Sequence, residues 1–181
     1  MKKFLLGTNW KMNKTLAEGL AYSEALMAII GKYPQFEFFI IPPYTHLWKI
    51  KETIDGHKSP LKLGAQNMHE QDSGQFTGEI SPLMLAEIGV DIIELGHSER
   101  RQYFNESDEA VNKKARAALK HGFTPLICIG EQQADKDYGV SQEMLAKQLK
   151  IALTDVPATA IGQFWIAYEP VWAIGVAGTP A

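Results

Sequence analysis

Three stretches of mainly apolar sequence are each followed at once by a side chain suited to proton transfer or charge stabilisation. Lys11 follows one such stretch, His97 another and Glu169 a third. A carboxylate can remove a proton from a carbon next to a carbonyl group when a cation and an imidazole stabilise the oxygen that becomes negative. Each residue alone has an ordinary explanation, as a solvated lysine, a capping histidine or a strand-end carboxylate. Their joint occurrence favours a proton-transfer site.

These stretches belong to a set of six short apolar runs that the sequence predicts as β-strands. The runs are mostly continuous in apolar character, and helical segments lie between them, which indicates parallel crossovers. The predicted strands are residues 4–8, 36–41, 61–65, 91–95, 124–129 and 164–168, with five helical segments between them. Polar residues that follow parallel strands meet at one edge of the sheet. Periodicity alone fits both an open doubly wound α/β sheet and part of an eight-unit barrel.

Helix-capping signals support this division of the chain. Thr15 and Glu18 form a capping-box pattern, and Ser81 followed by Pro82 opens a later helix that Gly89 ends. Two further helices are predicted over residues 107–121 and 141–153. No low-complexity linker interrupts the pattern, so residues 1–181 are expected to form a single domain.

Composition excludes several classes of protein. The chain is 45% hydrophobic and 22% charged, with a net charge of -3 and no long basic block, so a nucleic-acid partner is not expected. No stretch approaches the length of a membrane span. Cys128 is the only cysteine, which excludes an internal disulfide and indicates a reducing, cytoplasmic location. The five histidines lack metal-ligand spacing, so no metal is predicted.

Six motifs in order along the chain resemble those of the triosephosphate isomerase family. They are GTNWKMN at 7–13, GAQN at 64–67, TGE at 77–79, LGHSERR at 95–101, CIGE at 128–131 and YEPVWAIG at 168–175. The resemblance implies a TIM (β/α)8 barrel that interconverts dihydroxyacetone phosphate and D-glyceraldehyde 3-phosphate through an enediolate without a cofactor. It also implies a homodimer, in which Thr77 reaches the partner's active site.

The resemblance assigns a role to each chemical residue. Glu169 corresponds to the base and His97 to the neutral imidazole that polarises the carbonyl group; triosephosphate isomerase is itself the standard example of this division of labour. Lys11 and Asn9 bind the substrate and stabilise the enediolate, and Glu99 supports the lysine and the histidine. The lid corresponds to Pro170, Val171, Trp172, Ala173, Ile174 and Gly175, and the amide of Gly175 corresponds to a phosphate ligand.

Two departures from the family pattern affect the predicted function. The sequence stops at Ala181, so the seventh and eighth βα units of the predicted barrel are not in it. Either the sequence is part of a longer chain, or it is an inactive fragment or a non-catalytic binding protein. The lid lacks the usual lysine, and this ending, together with residues 66–69 and Glu94, resembles a branch that isomerises L-erythrulose 1-phosphate in erythritol catabolism. The three-carbon substrate is the first expectation and the four-carbon substrate the alternative.

Overall fold

A computed structural model describes residues 4–174 of the chain, and six parallel strands form its sheet. The strands follow one another in the sheet in the order in which they occur along the chain. They are β1 (Phe4–Asn9), β2 (Phe36–Ile41), β3 (Lys62–Ala65), β4 (Ile92–Leu95), β5 (Thr124–Ile129) and β6 (Trp165–Tyr168). All six predicted strands are confirmed, and their ends differ from the predicted ends by no more than one residue.

Within residues 4–174, seven α-helices cover the sheet where five helical segments were predicted. They are α1 (Leu16–Ile30), α2 (Tyr44–Gly56), α3 (Pro82–Ile88), α4 (Ser98–Phe104), α5 (Asp108–Lys120), α6 (Gln133–Asp137) and α7 (Ser141–Ala152). The predicted capping box of Thr15 and Glu18 is present, and Ser81 caps α3. The prediction missed α4 and α6, because helices of seven and five residues are too short to show a 3.6-residue period.

The sheet curls strongly, which decides between the two architectures that periodicity left open. Alternate strand residues face the helices, among them Ile40, Ile93 and Ile127, and form the larger apolar core. The opposite face carries a second cluster that includes Phe39 of β2 and Trp165 of β6, whose ring centroids are 5.5 Å apart. Those strands lie four places apart and would be about 19 Å apart in a flat sheet. The six βα units therefore form a curled partial barrel, which confirms the predicted fold class.

The curl brings the carboxyl ends of all six strands around one mouth, where reactive residues of such barrels lie. Within residues 4–174, no helix is long and apolar enough to cross a membrane. The same part of the chain contains no group of three or more histidine, cysteine or acidic side chains that could hold a metal ion. A single, C-terminally incomplete domain over residues 1–181 stays a prediction.

Candidate active site

His97 lies between the end of β4 and the first residue of α4, where it caps that helix. Its Nδ1 accepts a hydrogen bond from the backbone N–H of Glu99 at 3.2 Å. A neutral imidazole that accepts at Nδ1 carries its proton on Nε2. Nε2 lies 3.3 Å from Oε2 of Glu169. The buried ring therefore presents an N–H donor next to the predicted base.

Glu169 follows β6 directly, and its carboxylate is bound to Ser98 at the start of α4. The backbone N–H of Ser98 donates to Oε1 at 2.7 Å, and the Ser98 hydroxyl donates to Oε2 at 3.3 Å. Sequence reasoning missed this partner. The signal was available, because Ser98 directly follows His97, and the first N–H groups of a helix have no partner within the helix.

Lys11 has a backbone conformation that is rare for a residue other than glycine, with φ at 53°. Such a conformation costs about 1–3 kcal/mol unless the surroundings fix it. Here Asn9 Oδ1 accepts from the Lys11 N–H at 2.6 Å, and Gln66 Nε2 donates to the Lys11 carbonyl at 2.7 Å. The ammonium group lies 2.8 Å from Glu99 Oε1. The loop after β1 thus holds the ammonium group of Lys11 in a defined position. Gln66 stabilises the Lys11 backbone, a contact that sequence reasoning did not identify.

A cavity of about 260 Å³ opens between these residues, lined by Lys11, His97, Asn9, Glu94 and Glu99 among others. It is smaller than the sites that hold drug-sized ligands and fits a small metabolite. Glu169 lines an adjacent cavity of about 180 Å³ instead, which it shares with Ser98. At the edge of the sheet where the three residues were expected to meet, the Glu169 carboxylate touches the imidazole of His97 but is turned towards Ser98, whose two hydrogen bonds hold it there.

Comparison with known proteins agrees with this geometry. The family model described as triosephosphate isomerase matches residues 4–181. The chain belongs to the triosephosphate isomerase family. The L-erythrulose-1-phosphate isomerase of Brucella abortus biovar 1 (strain 9-941) is 49% identical over 183 residues, which cover 100% of this chain and 71% of that protein. The enzyme of the same name from Rhizobium rhizogenes (strain K84 / ATCC BAA-868) is 48% identical over 99% of this chain and 69% of its own length.

The described part of the family's lid is anchored to Glu131, which follows β5. Val171–Ala173 forms one 3-10 turn, and the Trp172 indole N–H and the Tyr168 hydroxyl both donate to Glu131 Oε1, at 2.9 and 3.1 Å. Although burial disfavours the charge, the hydrogen bonds from Trp172 and Tyr168 hold the pKa of Glu131 below its ordinary value. Gly175, the predicted phosphate ligand, lies outside the described residues.

Backbone hydrogen bonds join Pro170 and Ile174 of the predicted lid to the 3-10 turn of Val171–Ala173. The Ala173 N–H donates to the Pro170 carbonyl at 2.9 Å, and the Ile174 N–H donates to the Val171 carbonyl at 3.3 Å. The Val171 N–H donates to the Glu131 carbonyl at 3.0 Å. The start of the predicted lid is therefore anchored by both the backbone carbonyl and the side chain of Glu131.

Gly130 fixes the position of Glu169 from the neighbouring strand. A Cβ atom at Gly130 would lie 2.0 Å from the Glu169 carbonyl oxygen, so only glycine permits this approach. Gln148 of α7 binds both polar groups of Gly130, accepting from its N–H at 2.8 Å and donating to its carbonyl at 2.9 Å. The backbone around the predicted base is therefore tightly located.

Thr77 lies away from this cluster, in an exposed turn of the long loop between β3 and α3. The neighbouring Phe76 ring packs against His69, with centroids 4.1 Å apart. A contact of Thr77 with a second subunit stays a prediction.

Proposed function

We propose that this protein isomerises L-erythrulose 1-phosphate, with Glu169 as the base and His97 as the neutral electrophile. The observation that carries the proposal is the contact between His97 Nε2 and the Glu169 carboxylate at 3.3 Å, with the histidine proton fixed on that nitrogen. Relatives that are 47–49% identical carry the name of this activity. They favour the four-carbon substrate over the three-carbon substrate that the family motifs first suggested.

The reaction is a proton transfer between adjacent carbons. Glu169 removes the proton from the carbon that bears a hydroxyl group next to the ketone, and the electron pair moves to the carbonyl oxygen to give an enediolate. The Nε2–H of His97 donates to that oxygen, and the Lys11 ammonium group stabilises its negative charge. Return of the proton to the former carbonyl carbon, with a proton moved between the two oxygens, completes the isomerisation. In the four-carbon sugar the ketone thereby moves from C2 to C3.

The carboxylate must leave Ser98 before it can act. The two hydrogen bonds from Ser98 hold the carboxylate away from the cavity that Lys11 and Asn9 line, and both must break before it can reach a substrate there. Its position beside Ser98 is therefore a resting position, from which a short rotation past His97 brings it to the cavity that Lys11 and Asn9 line. Closure of the lid over this cavity would exclude water and strengthen the electrostatic contacts of the enediolate.

Steady-state kinetics on two substrates test the proposal. The full-length protein is assayed with L-erythrulose 1-phosphate and with D-glyceraldehyde 3-phosphate, and incorporation of deuterium from heavy water at the reacting carbon is followed by NMR. We expect a higher kcat/KM for the four-carbon sugar. A higher value for the three-carbon sugar would instead identify a triosephosphate isomerase, and turnover of neither would favour a binding protein.

A homodimer built through the loop that contains Thr77 is part of the same proposal. The loop is exposed, and Phe76 in it is 45% exposed, so the loop offers an apolar ring to a second subunit. Light scattering coupled to size-exclusion chromatography would show twice the monomer mass, and a monomer would contradict the assignment of Thr77.

A further inference from the structure

Glu94 is an acidic residue in a place where apolar residues are the rule. It lies on β4, two residues after Ile92, so both side chains point to the inside of the barrel. Ile92 packs there against Ile41 and Leu126, whereas Glu94, only 5% exposed, lies at the carboxyl end of the same face. A buried carboxyl group without a paired cation is uncommon and needs an explanation.

The hydrogen bonds around Asn9 determine how Glu94 is held. The Lys11 N–H can only donate, and it donates to Asn9 Oδ1 at 2.6 Å, so the amide nitrogen of Asn9 must point the other way. That nitrogen donates to Glu94 Oε2 at 2.5 Å. Within residues 4–174, Glu94 Oε1 has no hydrogen-bond partner. One oxygen of the carboxyl group is therefore occupied, and the other is free.

Burial, together with the charges that face Glu94, favours the neutral form of its carboxyl group. Burial, followed by repulsion from Glu169, raises the pKa of Glu94 to about 8, with a further contribution from Glu99 and an opposing one from Lys11. The Cys128 thiol on β5 also lies close, and burial raises its pKa, so it adds no charge. Because Oε2 accepts from Asn9, the acid proton belongs on Oε1. Glu94 thus carries an unused O–H donor near neutral pH.

The carboxyl group of Glu94 lies at the proposed substrate site. Glu94 lines the same cavity as Lys11 and His97. It precedes His97 by three residues along the strand and so lies deeper in the barrel. The neutral carboxyl group of Glu94 offers no positive charge to a phosphate, so the phosphate of a bound sugar points outwards, towards the open end of the cavity. The uncharged end of the sugar then faces Glu94.

We propose that Glu94 determines specificity for a four-carbon sugar phosphate by donating a hydrogen bond from its neutral carboxyl group to the terminal hydroxyl group. This inference rests on the proposed function. A three-carbon substrate has no hydroxymethyl group beyond the reacting carbon and leaves the donor unused. A buried hydroxyl group needs a partner, and an apolar side chain at position 94 would provide none. The neutral acid also avoids repulsion of the enediolate, which a carboxylate would cause.

Two substitutions at this position test the inference by the ratio of kcat/KM for L-erythrulose 1-phosphate to that for D-glyceraldehyde 3-phosphate. In Glu94→Leu, which has no donor, we expect the ratio to fall by at least about tenfold. In Glu94→Gln, whose amide can accept from Asn9 and donate to the sugar, the ratio stays within about threefold of the wild-type ratio. Equal losses on both substrates in Glu94→Leu would indicate a merely structural role and overturn the inference.

If Glu94→Leu does not fold, the pH dependence of the same kcat/KM ratio tests the inference in the wild type and in Glu94→Gln. Ionisation removes the donor, so the wild-type ratio falls above about pH 8, whereas the Glu94→Gln ratio stays flat because an amide does not ionise. Parallel profiles in the two proteins would overturn the inference.

Infrared difference spectra separate this inference from the proposed function. The wild-type spectrum minus that of Glu94→Gln shows the band of a protonated carboxyl group at pH 7, and L-erythrulose 1-phosphate shifts this band while D-glyceraldehyde 3-phosphate does not. Absence of turnover would end the proposed function but leave the protonated carboxyl group of Glu94 in place, whereas an absent or insensitive band would end the assignment of Glu94.

Discussion

Replacement of Gly130 by alanine is a sharp test of the position of Glu169, the proposed base. The added methyl group would lie 2.0 Å from the Glu169 carbonyl oxygen, and ordinary contacts begin near 3.4 Å, so the two strand ends must separate by about 1.4 Å. Gln148 holds Gly130 through both of its backbone groups, which leaves Glu169 as the part that moves. The substitution therefore displaces the base without changing any side chain in the cavity.

The expected effect on catalysis is large and the effect on stability is moderate. A displacement of about 1 Å in a catalytic group can lower the rate about 100-fold, so kcat of Gly130→Ala should fall by about that factor. Overpacking of this kind costs about 1–3 kcal/mol in the free energy of unfolding. For a chain of this size, that loss lowers the thermal midpoint by several degrees.

The assay compares kcat on L-erythrulose 1-phosphate with thermal melting followed by circular dichroism. Gly56→Ala is the matched control, because an added Cβ at the end of α2 meets nothing within 4 Å. The control should keep its wild-type kcat and melt at the same temperature or slightly higher. Wild-type kcat in a folded Gly130→Ala variant would refute the reasoning that Glu169 must lie where the structure places it.

Two further predictions concern acidic residues. Glu169→Asp draws the carboxylate back by one methylene group, so kcat should fall about 100-fold with an unchanged circular dichroism spectrum, and a wild-type rate would reject Glu169 as the base. Glu94 keeps its proton up to about pH 8 in the folded protein but ionises near its ordinary value of 4.5 when unfolded. Between these values the unfolded state binds fewer protons, so wild-type stability should fall by about 2–4 kcal/mol relative to Glu94→Gln as pH rises from 5 to 8. Urea unfolding measures this difference, and parallel curves would show that the carboxyl group is not held neutral.

Sequence reasoning located the strands well but could not determine the shape of the sheet. The strands could be predicted from apolar runs bounded by polar residues, because a strand that is buried on both faces has a continuous apolar sequence. The curl depends on contacts between distant strands, such as that of Phe39 with Trp165, and no local pattern contains them. The barrel was predicted from the motifs and not from periodicity.

In the candidate site, too, local sequence predicted some features, whereas others depend on contacts between distant residues. Lys11, His97 and Glu169 could be singled out because each lies within three residues of the end of an apolar run, at the edge where parallel strands end. The orientation of the Glu169 carboxylate towards Ser98 could not, because it depends on hydrogen bonds across 71 residues of sequence. Glu94 was noted only as a mark of a branch of the family, although alternation along β4 places it on the inner face beside Ile92.

Both ring nitrogens of His97 make contacts, and this affects the choice of replacement in mutagenesis. One ring nitrogen caps the first turn of α4 and the other contacts Glu169, so most replacements remove a helix cap together with the proposed electrophile. A loss of activity in an alanine variant would then mix two causes. Asparagine is a good capping residue whose short amide stops well before the carboxylate. It is the replacement that would leave the helix start intact and expose the chemical contribution of the imidazole alone.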